Sequence, residues 1–147
     1  MKHILFAVAV SILPVSPAGL LGAESRSGAP VAAADVNITI TYMGKGSVDA
    51  SHRLWVWLFS SPDIGPGSMP IAQVSLDKND AVATFESVTA ERVWVAAAFD
   101  EKGVMTGSEA PPSGTPVGVY VGSDGTPAPV AAGETAKLRF DDSIRMP

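Results

Sequence analysis

From Asp35 to Phe140 the apolar residues recur at every second position or in unbroken runs, and no window sustains the roughly 3.6-residue spacing of a helix. A chain patterned this way can bury its apolar side chains only as strands. The clearest case is Val36-Asn37-Ile38-Thr39-Ile40-Thr41-Tyr42, which alternates without a fault: Val36, Ile38, Ile40 and Tyr42 are expected to face a core, Asn37, Thr39 and Thr41 water. Arg92 to Phe99 reads as a central strand running into the Asp100-Glu101-Lys102-Gly103 turn, with Val93, Val95, Ala97 and Phe99 on one face and Trp94, Ala96 and Ala98 on the other. Its three successive alanines call for something large packed close, such as Trp55 or Trp57 of a neighbouring strand. Those tryptophans lie in Leu54-Trp55-Val56-Trp57-Leu58-Phe59, which is apolar on both faces. Such a strand is either central with one face under a loop, or it exposes an aromatic patch to a partner.

Ile71 to Leu76, the Asp77-Lys78-Asn79-Asp80 turn and Ala81 to Phe85 read as a hairpin, and Val117 to Val121 and Thr135 to Phe140 complete seven strands. Ser60 to Pro70 and Gly122 to Gly133, rich in Pro and Gly, suit crossings from one sheet to another. The expected fold class is therefore all-β, a two-sheet antiparallel sandwich of immunoglobulin-like type with about seven strands. A closed barrel is the competing architecture, and the long Pro-rich connections disfavour it.

The chain of 147 residues is expected to divide into three parts. Met1-Lys2-His3, the apolar run Ile4 to Val15 and the small residues up to Ala23 read as a secretory signal peptide over 1–23, since a run of about 12 apolar residues is too short to span a bilayer. Residues 24–34 read as a flexible leader and 35–147 as the β domain. There is no cysteine, so the domain must be stabilised by its core and cannot be a lipoprotein anchored through one. A periplasmic or extracellular bacterial protein fits best, and the Asn37-Ile38-Thr39 sequon then reads as chance. Without Lys2, nine Lys and Arg face 15 Asp and Glu, a net of about −6. That balance argues against nucleic acid and anionic membrane surfaces, which reward clustered cations. No membrane insertion is expected once the signal is removed.

Ala83-Thr84-Phe85-Glu86-Ser87-Val88 followed by Val93-Trp94-Val95-Ala96-Ala97-Ala98-Phe99-Asp100-Glu101-Lys102-Gly103 resembles the core of the prealbumin-like, or carboxypeptidase-regulatory-like, β-sandwich domains. They share a Thr-Phe pair, a short link, a hydrophobic strand, an Asp and a Gly loop. The resemblance covers about a third of the part after the signal. It implies a sandwich fold and an accessory or binding role, and no catalytic residue.

Two sets of residues are candidates for a site. Asp100, Glu101, Glu109, Asp141 and Asp142 could converge at one end of a sandwich, where their hard oxygens would suit Ca²⁺, although no spacing matches a known calcium loop. Solvated turn carboxylates, or a link from Asp141 or Asp142 to Arg139 or Arg145, are the plainer use. Trp55, Trp57 and Trp94 could form a platform that stacks on a sugar ring or a peptide, or could simply fill the core. His52 beside Ser51 does not make a triad, because strand neighbours point to opposite faces and no nucleophile-elbow glycines are present. One His and no Cys cannot supply the usual zinc or copper ligands, and Met43, Met69, Met105 and Met146 are scattered as gap-fillers. The Asp100 to Pro116 loop is long enough to be functional. The expectation is a secreted, non-catalytic β-sandwich that binds a protein or carbohydrate partner through the tryptophans or that loop, with no cofactor required. The alternatives are a calcium-stabilised structural domain and a small carboxylate-dependent hydrolase.

Overall fold

In the computed structural model residues 31–147 are described; the expected signal peptide and the leader up to residue 30 lie outside them. The described residues form eight strands and no helix: β1 (Ala34–Tyr42), β2 (Leu54–Phe59), β3 (Ala72–Leu76), β4 (Ala81–Val88), β5 (Arg92–Phe99), β6 (Val117–Val119), β7 (Val130–Ala131) and β8 (Thr135–Phe140). They make two sheets, one of three strands in the order β4-β1-β8 and one of five in the order β3-β2-β5-β6, with β7 added to the start of β5. The eighth strand is the two-residue β7, within the segment expected to be a turn-rich crossing. Two residues are too few for alternation to signal a strand.

The inner faces of both sheets meet in one buried cluster. From the three-stranded sheet come Val36, Ile38, Ile40 and Tyr42 of β1, Ala83 and Phe85 of β4, and Ala136, Leu138 and Phe140 of β8; from the other come Leu54, Val56 and Leu58 of β2 and Val93, Val95, Ala97 and Phe99 of β5. These are the alternate positions of each strand, so the period of two in the sequence becomes one buried layer. Each fully buried aliphatic contributes about 1.5–3 kcal/mol by leaving water. Tyr42 stacks on Phe99 across the layer with ring centroids 4.3 Å apart. Gly118 of β6 has no room for a side chain, because a Cβ there would fall on Phe140.

Three expectations of topology are corrected. First, the sheets are not wholly antiparallel: β1 runs parallel to β8, with Ile38 opposite Ala136 and Ile40 opposite Leu138. The chain reaches β8 through a crossing from the other sheet, so the strand direction is free of the hairpin constraint. Second, β3 and β4 are not hairpin partners. β3 pairs with β2 and β4 pairs with β1. Between them Asp80 takes a left-handed φ of 56°, and the Asn79 amide accepts from the Tyr42 N–H at 2.8 Å and donates to the Tyr42 carbonyl at 2.7 Å. Asn79 thereby anchors the turn to the three-stranded sheet and sends β4 into it. Third, Ser60 to Pro70 does not change sheets, since β2 and β3 are neighbours. It folds instead over the outer face of its own sheet.

Candidate functional site

That outer face is where the five-stranded sheet departs from the usual inside-apolar, outside-polar pattern. Trp55, Trp57 and Phe59 project outward from β2 and meet Ala98, Ala96 and Trp94 of β5 in direct cross-strand pairs. The small alanines make room for the indoles, as their sequence pattern requires. Trp57, Phe59, Ala96 and Ala98 are buried, and Trp55, Trp94, Ile64, Met105, Val117 and Val119 pack against them as a second apolar cluster.

Two loops cover this cluster. The β5–β6 loop starts at Asp100, whose side chain is only 4% exposed and accepts the N–H groups of Val104 at 3.1 Å and Met105 at 2.9 Å. A buried carboxylate with both oxygens engaged pins the first turn of the loop. Further on, the Trp57 indole donates to the Gly107 carbonyl at 2.9 Å. Gly107 itself packs against Trp55 with φ 82°, and a Cβ at this position would fall on the Trp55 ring. Only glycine lets the backbone come this close. The β2–β3 loop is closed by the Ser68 hydroxyl, which accepts from the Gly65 N–H at 2.9 Å and donates to the Asp63 carbonyl at 2.7 Å.

Between the loops is a cleft of ≈ 340 Å³. Trp57, Phe59, Ala96, Val117 and Val119 form its floor, Ile64 to Pro70 one wall and Gly107 to Pro111 the other. Met146 reaches it from the C-terminal segment. That segment is tied to β6 and the residues before it by bonds from Val117 N to the Ile144 carbonyl at 3.0 Å and from Met146 N to the Thr115 carbonyl at 2.9 Å. The Arg145 guanidinium holds it further, donating to both Glu101 oxygens at 2.9 and 3.1 Å and to the Gly114 carbonyl at 2.6 Å.

The three tryptophans share one sheet face, but only Trp57 lines the cleft. Trp57 is 5% exposed; Trp55 and Trp94 are half-buried, and Trp55 borders a separate depression beside His52, Arg53 and Lys102. The Trp55 indole N–H is buried and has no acceptor among the described residues. Phe59, Ile64 and Val119 also line the cleft and are not singled out by the sequence, whereas Gly107 falls within the Asp100 to Pro116 loop that it offers as a binding surface. Gly107 could have been suspected only from knowledge of what lies beneath it.

The five acidic candidates do not form one ligand set. Asp100 is committed to its own loop, and Glu101 to Arg145. Asp142 accepts the Tyr42 hydroxyl and the Lys45 N–H, with Arg145 at 3.6 Å; these, the Tyr42 hydrogen bond first, hold its carboxyl below the usual value. Asp141 accepts the hydroxyl and N–H of Ser143, which hold it low as well. Glu109 stands apart, at the cleft. Among the described residues no three His, Asp or Glu side chains are grouped to hold a metal ion. His52 faces Asp49 at 3.1 Å, and the Asp49 carboxyl is held low by the N–H groups of His52 and Ser51.

Together these features define an all-β, two-sheet protein with an apolar cleft on the outer face of its larger sheet. Compared with protein-family models, with curated proteins and with solved structures, the chain matches none. No helix among the described residues is long and apolar enough to cross a membrane.

Proposed function

We propose that this is a secreted, non-catalytic β-sandwich module, immunoglobulin- or prealbumin-like in build, that binds a ligand in the cleft above Trp57. The reading is carried by one observation: an apolar concavity of ≈ 340 Å³, floored by aromatic and aliphatic side chains and walled by two anchored loops. Ligand pockets have this character, typically about 300–1,000 Å³ with an apolar lining and a few polar groups. The cleft joins what the sequence offered as alternatives, a tryptophan and the loop after Asp100. A hydrolase working through paired carboxylates is disfavoured, because among the described residues the lining holds a single acid, Glu109. Secretion rests on the N-terminal pattern.

The test uses N-phenyl-1-naphthylamine, an uncharged dye whose emission rises in apolar surroundings. Saturable binding that is lost in Val119→Glu, a half-buried floor position, is the expected result. No saturable binding to the parent protein, or binding unchanged in Val119→Glu, overturns the reading.

A further inference from the structure

Glu109 is the only charged side chain lining the cleft, and it makes no ion pair or hydrogen bond among the described residues. Other carboxylates near the same end of the molecule have partners: Asp100 its loop N–H groups, Glu101 Arg145, Asp142 Tyr42 and Lys45. The backbone on either side of Glu109 is restrained. It sits two residues after Gly107, which Trp57 anchors, and just before Ala110-Pro111-Pro112, where each proline restricts the residue before it to extended backbone. A carboxylate mounted on a stiff rim beside an aromatic floor is set up to face a cation. The carboxylate would attract the charge, and the faces of Trp57 and Phe59 would take an apolar body.

Resting on the reading of the cleft as a ligand site, we propose that its ligand is a small organic cation with an apolar body. The body would lie over Trp57 and Phe59, with the ammonium toward Glu109. The charge of the whole chain, −5, favours the approach of such a cation. A small molecule fits better than a peptide for two reasons. The volume lies at the low end for ligand pockets. In addition, the C-terminal segment occupies the start of the free edge of β6, through the Pro116 and Arg145 bridge and the Val117 to Ile144 bond, which leaves a peptide little edge on which to add as a strand.

Calorimetry on the full chain at low ionic strength, with phenylbutylammonium, phenylbutanol and phenylbutanoate, separates the possibilities. The ammonium is expected to bind about fivefold more tightly than the alcohol, with the carboxylate weakest, as one exposed charge pair would give. Raising the salt concentration should shrink that preference. Glu109→Gln should abolish it and leave the affinity for the alcohol unchanged. Equal binding of ammonium and alcohol, or a preference that survives Glu109→Gln, overturns the cation proposal and leaves the cleft reading standing. If none of the three binds, both fall. A lysine-containing peptide that binds where the small ammonium does not overturns the small-ligand assignment.

Discussion

At Gly107 the backbone adopts φ 82° and packs against the Trp55 ring, so an added methyl group meets both steric strain in the backbone and the indole beside it. Gly107→Ala is expected to cost about 1–3 kcal/mol in urea unfolding, a position-specific strain cost. It should also weaken dye binding in the cleft, because the wall must lift off Trp55. The neighbouring Trp57 makes a different contribution. Its indole N–H is the group that satisfies the Gly107 carbonyl, so Trp57→Phe is expected to cost about 1–2 kcal/mol through the lost hydrogen bond while keeping most of the apolar floor. Trp55 offers the contrast, since its buried N–H has no acceptor among the described residues and Trp55→Phe removes no such bond. From sequence the three tryptophans were equivalent candidates. Their unequal roles depend on which indole lies under a carbonyl, and that is decided by a loop fifty residues away in the chain.

Among the elements, the β5–β6 loop stands out as a long connection held at few points. Asp100 is buried at its start, Trp57 grips Gly107 and Arg145 donates to the Gly114 carbonyl. Asp100→Ala leaves the Val104 and Met105 N–H groups without their acceptors. The expected outcome is faster hydrogen exchange at those two amides and a loss of about 1–3 kcal/mol in stability, the cost of unsatisfied partly buried donors. Exchange unchanged at both amides would show that the carboxylate does not hold the loop. In the core, Ile38 and Leu138 are fully covered where β1 and β8 face the larger sheet. Truncating either to Ala should cost about 2–5 kcal/mol. Seven of the eight strand segments were legible in the sequence to within three residues at their ends, because an alternating strand can bury only one face. Their pairing was not: the turn at Asp77 to Asp80 has hairpin composition, yet Asn79 bonds it to Tyr42 and β4 joins the other sheet.

For the molecule as a whole, the closing contacts are at the chain's C-terminal end, where Tyr42 gives its hydroxyl hydrogen to Asp142 and Arg145 spans Glu101 and Asp142. Burial first, and then the Asp142 carboxylate, raise the Tyr42 phenol well above its ordinary value. The folded protein therefore keeps a proton that the unfolded chain releases above about pH 10, so this contribution is present at lower pH and is lost as pH climbs. Asp142 has the opposite sense: its carboxyl is held low, and its contribution is present above about pH 4 and lost on acidification. Melting temperature is thus expected to fall on the alkaline side. In Tyr42→Phe that fall should be shallower, and an identical alkaline profile would remove the phenol as its cause. By itself the sequence determined that the chain is all-β, which side chains of β1, β5 and β8 are buried, and that something large packs against the alanines of β5. Each follows from local alternation and from side-chain volume, which a strand carries with it wherever it pairs. Tertiary structure alone decided the parallel match of β1 with β8, the two loops folded over the outer sheet face and the isolation of Glu109 beside an apolar cleft. These depend on contacts between residues far apart in the chain, and no local pattern of polarity encodes them.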